Sequence, residues 1–147
     1  QNFIISSAAY CVASYVLGLG DRHNDNLMMT KTAHYFHIDF GHFLGNFKSK
    51  YGVKRERAPF VFTPSFVAIL GGKGSVDYRE FERTACAALN LLRKKSNATL
   101  LTSLFSLMLS CGIPELQVCN IQVPLSFLTS AGSTDSLDLH KCCAFAD

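Results

Sequence analysis

The sequence predicts an α+β domain, predominantly α-helical, with one small β-hairpin. One segment, from Asp77 to about Lys95, carries apolar residues at helical spacing, a second, Asn2–Leu17, is apolar around most of the helical circumference, and a third, Thr99–Cys111, is very rich in leucine. Between them, two short runs, Leu27–Thr30 and Tyr35–Phe40, flank the turn-forming Lys31-Thr32-Ala33-His34 and read as paired strands. The 147 residues are 48% hydrophobic and 17% charged, which supports one packed core and excludes a disordered chain.

Taken in order, Asn2–Leu17 is apolar around most of the helical circumference, so that helix is expected to be buried on several sides. Its apolar run is interrupted by Ser6, Ser7 and Ser14 and is too short and polar for a membrane span. No basic leader opens the chain, and a secretory signal peptide is not expected. Gly18 and Gly20 end the helix and deliver Asp21 from a rigid element. Further on, Thr63-Pro64 starts a short helix to Leu70, with proline near its first turn, and Gly71-Gly72 stops it. Gly71-Gly72-Lys73-Gly74-Ser75 lacks the order of a phosphate loop and reads as a connector. Asp77 and Glu80 suggest a capping box for the next helix, whose core face is Tyr78, Phe81, Ala85, Ala88, Leu89 and Leu92. Asn97 is the expected cap of the last helix, which Gly112 and Pro114 terminate. Cys11, Cys86 and Cys111 lie in helical patterns without C-x-x-C spacing, and read as reduced, core-packing thiols of a cytosolic protein.

The chemistry is concentrated between Gly18 and Gly45. Asn26 follows Asp21 by five residues and Asp39 follows Asn26 by thirteen. The protein-kinase catalytic loop has the same Asp-to-Asn interval, and there a later Asp-Phe-Gly supplies the second metal ligand; Asp39-Phe40-Gly41 spells that tripeptide. A carboxylate and an amide oxygen are hard donors suited to Mg²⁺ on ATP phosphates. His23, with an ordinary pKa of about 6.5, can exchange a proton with an acceptor hydroxyl. His34, His37 and His42 have no zinc-type spacing and read as structural histidines. From Phe43 to Phe62 runs a loop with Lys48, Lys50, Lys54, Arg55 and Arg57 against Glu56 alone, a local charge of +4 that leaves the rest of the chain close to neutral. A surface of that kind attracts anionic lipid headgroups.

The order Asp21-Arg22-His23, with Gly18-Leu19-Gly20 ahead and His37-Ile38-Asp39-Phe40-Gly41 behind, resembles the phosphoinositide 3-kinase and 4-kinase superfamily from about Asn2 to Leu116. The resemblance implies a protein-kinase-like C-terminal lobe across residues 1–116. Its parts would be a catalytic loop at 18–28, a metal-binding motif at 37–41, an activation loop at 42–63 and helices over 64–112. The N-terminal lobe, with its glycine-rich loop and ATP lysine, is expected to lie outside the chain, so these residues alone are expected to be inactive. Residues 117–147 diverge from the family and read as a poorly ordered tail.

The implied cofactors are ATP and Mg²⁺. Asn26 and Asp39 would hold the metal, and Met28 and Ile38 would form an apolar floor for adenine. Asp21 and His23 would serve the transfer, Arg22 would hold the loop, and Asp25 would face solvent. Lys48, Lys50, Lys54, Arg55 and Arg57 would bind the lipid phosphates. The double basic pattern looks like class I enzymes, whose substrate is phosphatidylinositol 4,5-bisphosphate, whereas Ala58–Thr63 and Ser110–Leu116 have a class II flavour. The remaining alternative is a truncated, inactive module that binds membranes or a partner. Expected partners are phosphoinositide at the membrane surface and a regulatory or adaptor subunit of the whole protein, with no nucleic acid. The expected location is cytoplasmic, with peripheral recruitment to the plasma membrane.

Overall fold

A computed structural model describes residues 1–44, 49–50, 53–54 and 60–112. Its elements are α1 (Asn2–Leu17), a 3₁₀ turn (Asn24–Asn26), β1 (Leu27–Met29), β2 (Tyr35–His37), β3 (Ser49–Lys50), β4 (Val53–Lys54), α2 (Pro64–Ile69), α3 (Val76–Leu92) and α4 (Lys95–Leu109). The described part is mostly helical with antiparallel hairpins, as the sequence predicts, but there are two hairpins instead of one: β1 pairs with β2, and β3 with β4. Among the described residues, no helix is long and apolar enough to cross a membrane.

Helix α1 is the central element. It buries Phe3, Ile4, Ala8, Cys11, Val12 and Val16, and with them Ser7 and Ser14. Buried hydroxyls need partners, and Ser7 finds its own helix, donating to the Phe3 carbonyl at 2.6 Å. Gly18 ends α1 in the left-handed conformation (φ 56°), where a side chain would be strained, and both Gly18 and Leu19 donate to the Ser14 carbonyl. The chain therefore leaves α1 in one fixed direction, toward Asp21.

Helix α3 packs along α1. Its Tyr78, Phe81, Ala85 and Leu89 are buried at helical spacing, with Ala88 and Leu92 partly buried beside them, which is the face the sequence predicts. Fully buried alanines on both helices, Ala8 and Ala85, allow the backbones to approach closely. A chain of aromatic rings joins the other elements to this pair. Phe3 meets Phe66 of α2 at 5.5 Å, Tyr35 of β2 meets Phe66 at 5.0 Å, and Phe62 stacks on Phe81 at 4.6 Å. Edge and offset contacts of this kind add to plain burial, and here they fix β2 against the helical core.

Several local expectations need correction. Ser75, and not Asp77, caps α3: its hydroxyl accepts from the Tyr78 amide at 3.0 Å, while Glu80 forms a forked pair with Arg83. Helix α4 begins at Lys95, so Asn97 lies inside it and donates to the Leu91 carbonyl instead of capping. The strands stop at Met29 and His37, short of Thr30 and Phe40, because the backbone turns at Ala33 (φ 61°) and again at Asp39 (φ 59°). Cys11 is buried and Cys86 half-buried, whereas Cys111 is exposed and is not part of the core.

Candidate active site

The site is built where the end of α1, the 3₁₀ turn and the end of β2 converge. Two backbone bonds first dock the later segment on the earlier one: the Gly20 amide donates to the His42 carbonyl at 2.8 Å, and the Leu44 amide to the Leu17 carbonyl at 2.7 Å. A third, from the Ile38 amide to the Asn26 carbonyl at 3.0 Å, continues the β1–β2 ladder by one residue. Asn26 and Asp39, thirteen apart in sequence, thereby lie on adjoining segments.

Asn26 is buried, only 5% exposed. Its amide nitrogen donates to the Asp21 carbonyl at 2.8 Å and sits 3.2 Å from His23 Nε2. The Asp21–His23 loop thus holds the side-chain nitrogen of Asn26. Asp39 is exposed, and its Oδ1 accepts from the Gly41 amide at 3.3 Å, which closes a local turn. Both Asp21 (φ 57°) and Asp39 (φ 59°) hold left-handed backbone, an unfavourable state for a non-glycine residue that recurs at functional sites.

His23 is half-exposed, and its Nδ1 lies 3.7 Å from the carboxylate of the solvent-exposed Asp25. Arg22 reaches from the loop to the tripeptide: it donates to the Gly20 carbonyl at 2.8 Å, to the Ile38 carbonyl at 2.7 Å and to the Asp39 carbonyl. Its guanidinium also lies 5.7 Å from the Phe40 ring centre.

Register explains the apolar surface beside these groups. Met28 pairs with Phe36, and Leu27 with His37, so Met28, Phe36 and Ile38 share one face and Tyr35 and His37 the other. Met28 and Ile38 are 44% and 41% exposed. Tyr35 and His37 are buried against α1.

That inner pair was not foreseen as a unit. The Tyr35 hydroxyl meets His37 Nε2 at 2.7 Å, and His37 Nδ1 lies 3.5 Å from Ser14 Oγ. Its only sequence signal is the two-residue spacing, which puts Tyr35 and His37 on one face. Burial, and then the Arg22 charge, push the His37 pKa down to about 4. Burial, with Cys11 next, pushes the Tyr35 hydroxyl up. Both groups therefore stay neutral at pH 7, and they anchor β2, hence Asp39, to α1.

A pH dependence follows from His37. The unfolded imidazole binds a proton below about pH 6.5 and the folded one only near pH 4, so stability is full above 6.5 and falls as the pH drops between those values. The loss should total about 3 kcal/mol. Urea unfolding of the chain at pH 7 and pH 4.5 is expected to show most of it, and the His37→Gln variant is expected to show a flatter profile.

The basic residues are not all within reach of this description. Lys48, Arg55 and Arg57 lie outside the described residues. Lys50 and Lys54 lie on β3 and β4, where Lys50 pairs with Val53 and Lys54 with Ser49. No group of three His, Cys, Asp or Glu side chains able to hold a metal occurs among the described residues.

Comparison with known proteins identifies the family. The family model described as phosphatidylinositol 3- and 4-kinase matches residues 1–118. The chain belongs to that family. It is 63% identical over 118 residues to phosphatidylinositol 3-kinase 2 of Dictyostelium discoideum, covering 80% of this chain and 6% of the relative. It is 52% identical over 118 residues to the human phosphatidylinositol 4-phosphate 3-kinase C2 domain-containing subunit beta, covering 79% of this chain and 7% of the relative. Against the rat phosphatidylinositol 3-kinase C2 domain-containing subunit gamma it is 47% identical over 119 residues, 80% of this chain and 8% of that one. The kinase-family chain thus spans less than a tenth of the length of the curated relatives it matches.

Proposed function

We propose that this chain is the catalytic-loop and metal-motif part, within a protein-kinase-like C-terminal lobe, of a phosphatidylinositol 3-kinase. The polypeptide that carries it would transfer the γ-phosphate of ATP to the inositol 3-hydroxyl of phosphatidylinositol 4,5-bisphosphate. The observation that supports the reading is the junction at Ile38–Asn26, which brings Asn26 and Asp39 onto adjoining segments, with the Asn26 side chain beside His23. Hard oxygen donors of this type fit Mg²⁺. When bound, the cation would neutralise phosphate charge.

Each residue then has a task. Asn26 and Asp39 hold the cation. His23, half-exposed at the loop tip, takes the proton of the attacking hydroxyl or contacts the transferred phosphate, and Asp21 orients that loop or shares the base role. Met28 and Ile38 offer adenine an apolar, accessible face. Lys48, Lys50, Lys54, Arg55 and Arg57 bind lipid phosphates at an anionic membrane surface, to which the cytoplasmic protein is recruited, with a regulatory subunit as a further partner.

A second reading concerns the lipid alone. The human relative at 52% identity carries phosphatidylinositol 4-phosphate in its name, which favours a class II substrate. Replacing Lys48 and Lys50 with Ala in the longer polypeptide discriminates the two. The class I reading expects turnover of the bisphosphorylated lipid to fall about tenfold or more relative to the monophosphorylated lipid, since each basic residue contributes about 1 kcal/mol at the surface. An unchanged ratio would favour class II.

The activity itself is tested by assaying lipid phosphorylation with the 147-residue chain and with the chain extended upstream into a glycine-rich loop and lysine. Activity in the extended form alone is the expected result. Inactivity of both, with anionic liposomes still bound by the folded short chain, would replace the enzyme with a binding module.

A further inference from the structure

Arg22 bonds to three main-chain carbonyls that belong to both halves of the site. Nε reaches Gly20, one Nη reaches Ile38, and the other reaches Asp39. The carbonyls of Ile38 and Asp39 are consecutive, and in an extended strand they would point to opposite sides. The left-handed backbone at Asp39 turns them toward the same guanidinium. A guanidinium is a rigid planar fork of five donors, so meeting three carbonyls at once fixes their relative positions, which the flexible point charge of a lysine cannot do. The Phe40 ring, 5.7 Å from the guanidinium, limits its movement from one side. Asp39 itself is exposed, and its Oδ1 accepts from the Gly41 amide at 3.3 Å.

We infer that Arg22 is a positioning residue that sets the Asp39 carboxylate relative to Asn26 and thereby the affinity of the site for its divalent cation. The inference rests on the reading of Asn26 and Asp39 as the cation's ligands. It makes a prediction whose sign opposes simple electrostatics. A positive side chain beside a cation site repels the cation, so removing its charge should tighten binding if charge were its main effect. A positioning role predicts the reverse, because loss of groups that orient metal ligands costs about 10–100-fold in affinity.

The test uses the full polypeptide that carries this chain, with Mn²⁺ as a spectroscopic stand-in for Mg²⁺ and a non-hydrolysable ATP analogue present. Bound Mn²⁺ is followed by electron paramagnetic resonance in the parent, Arg22→Met, Arg22→Lys and Asp39→Asn, with circular dichroism to check the fold. The half-saturating Mn²⁺ concentration is expected to rise about 10–100-fold in Arg22→Met and by a smaller factor in Arg22→Lys. Binding in Arg22→Met as tight as in the parent, or tighter, would overturn the inference. Should Arg22→Met fail to fold, Arg22→Lys decides, since it keeps the charge and loses the fork; parity with the parent there is equally fatal. Asp39→Asn separates the two levels. If it leaves Mn²⁺ binding intact, the ligand assignment itself has failed; if it removes binding while Arg22→Met does not weaken it, only the positioning role has.

Discussion

Replacing Asp39 with asparagine is expected to reduce lipid-kinase turnover of the longer polypeptide by about a thousandfold or more, equivalent to about 4 kcal/mol of transition-state stabilisation. The substitution is chosen for what it leaves unchanged. Asparagine tolerates left-handed backbone better than most residues, so φ 59° at this position remains accessible. Its side-chain oxygen can still accept from the Gly41 amide, and Arg22 bonds to main-chain carbonyls that the change does not touch. What disappears is the negative charge and one hard oxygen donor, the two properties a dication bridging phosphates requires. Steady-state turnover is to be measured beside unfolding midpoints. Activity within about threefold of the parent, in a protein of parental stability, would mean that the Asp-Phe-Gly tripeptide is not the metal seat.

Much of this site was legible in the sequence because its residues are dense and their intervals are chemical. Asp21, His23, Asn26 and Asp39 fall within nineteen residues, and Gly18, Gly20 and Gly41 mark the places where the chain can turn between them. The role of Arg22 in holding the loop could be expected, but its partners could not. Carbonyl groups carry no sequence signal, and only the turn at Asp39 brings two of them to one guanidinium. The same limit hid the Ser14–His37–Tyr35 network. Ser14 reads as a polar interruption in an apolar helix until β2 is placed against it.

Long elements were easier than their ends. The apolar face of α3 follows from helical spacing alone, whereas its cap depends on which of two nearby residues, Ser75 or Asp77, meets a free amide. The β3–β4 hairpin was missed because its lysines read as part of one long basic loop. Its signal was present in Tyr51-Gly52, a two-residue glycine-containing interval between Ser49-Lys50 and Val53-Lys54.

Replacement of Phe81 by alanine should produce the largest loss of stability in the chain, about 3–5 kcal/mol. Phe81 is 0% exposed and sits where α3, the aromatic chain and α1 meet, stacked on Phe62 at 4.6 Å and tilted against Tyr78 at 6.4 Å. Removing the ring takes away its transfer free energy, leaves a cavity, and ends the stacking contact. Collapse around that cavity is limited by helix packing on both sides, so the cost should lie well above that of an exposed change such as Leu100→Ala, whose side chain has little to lose. Urea midpoints of the two variants and the parent make the comparison. The effect should also reach the site without touching it. Phe62 continues the ring chain to Phe66 at 5.7 Å, and Phe66 supports Tyr35, the residue that anchors β2. Amide exchange at Ile38, which donates across to Asn26, is therefore expected to speed up in Phe81→Ala along with global unfolding. A destabilised variant in which exchange at Ile38 stayed at the parental rate would show that the hairpin is held by α1 alone, and that the aromatic chain stabilises the helices without positioning Asp39.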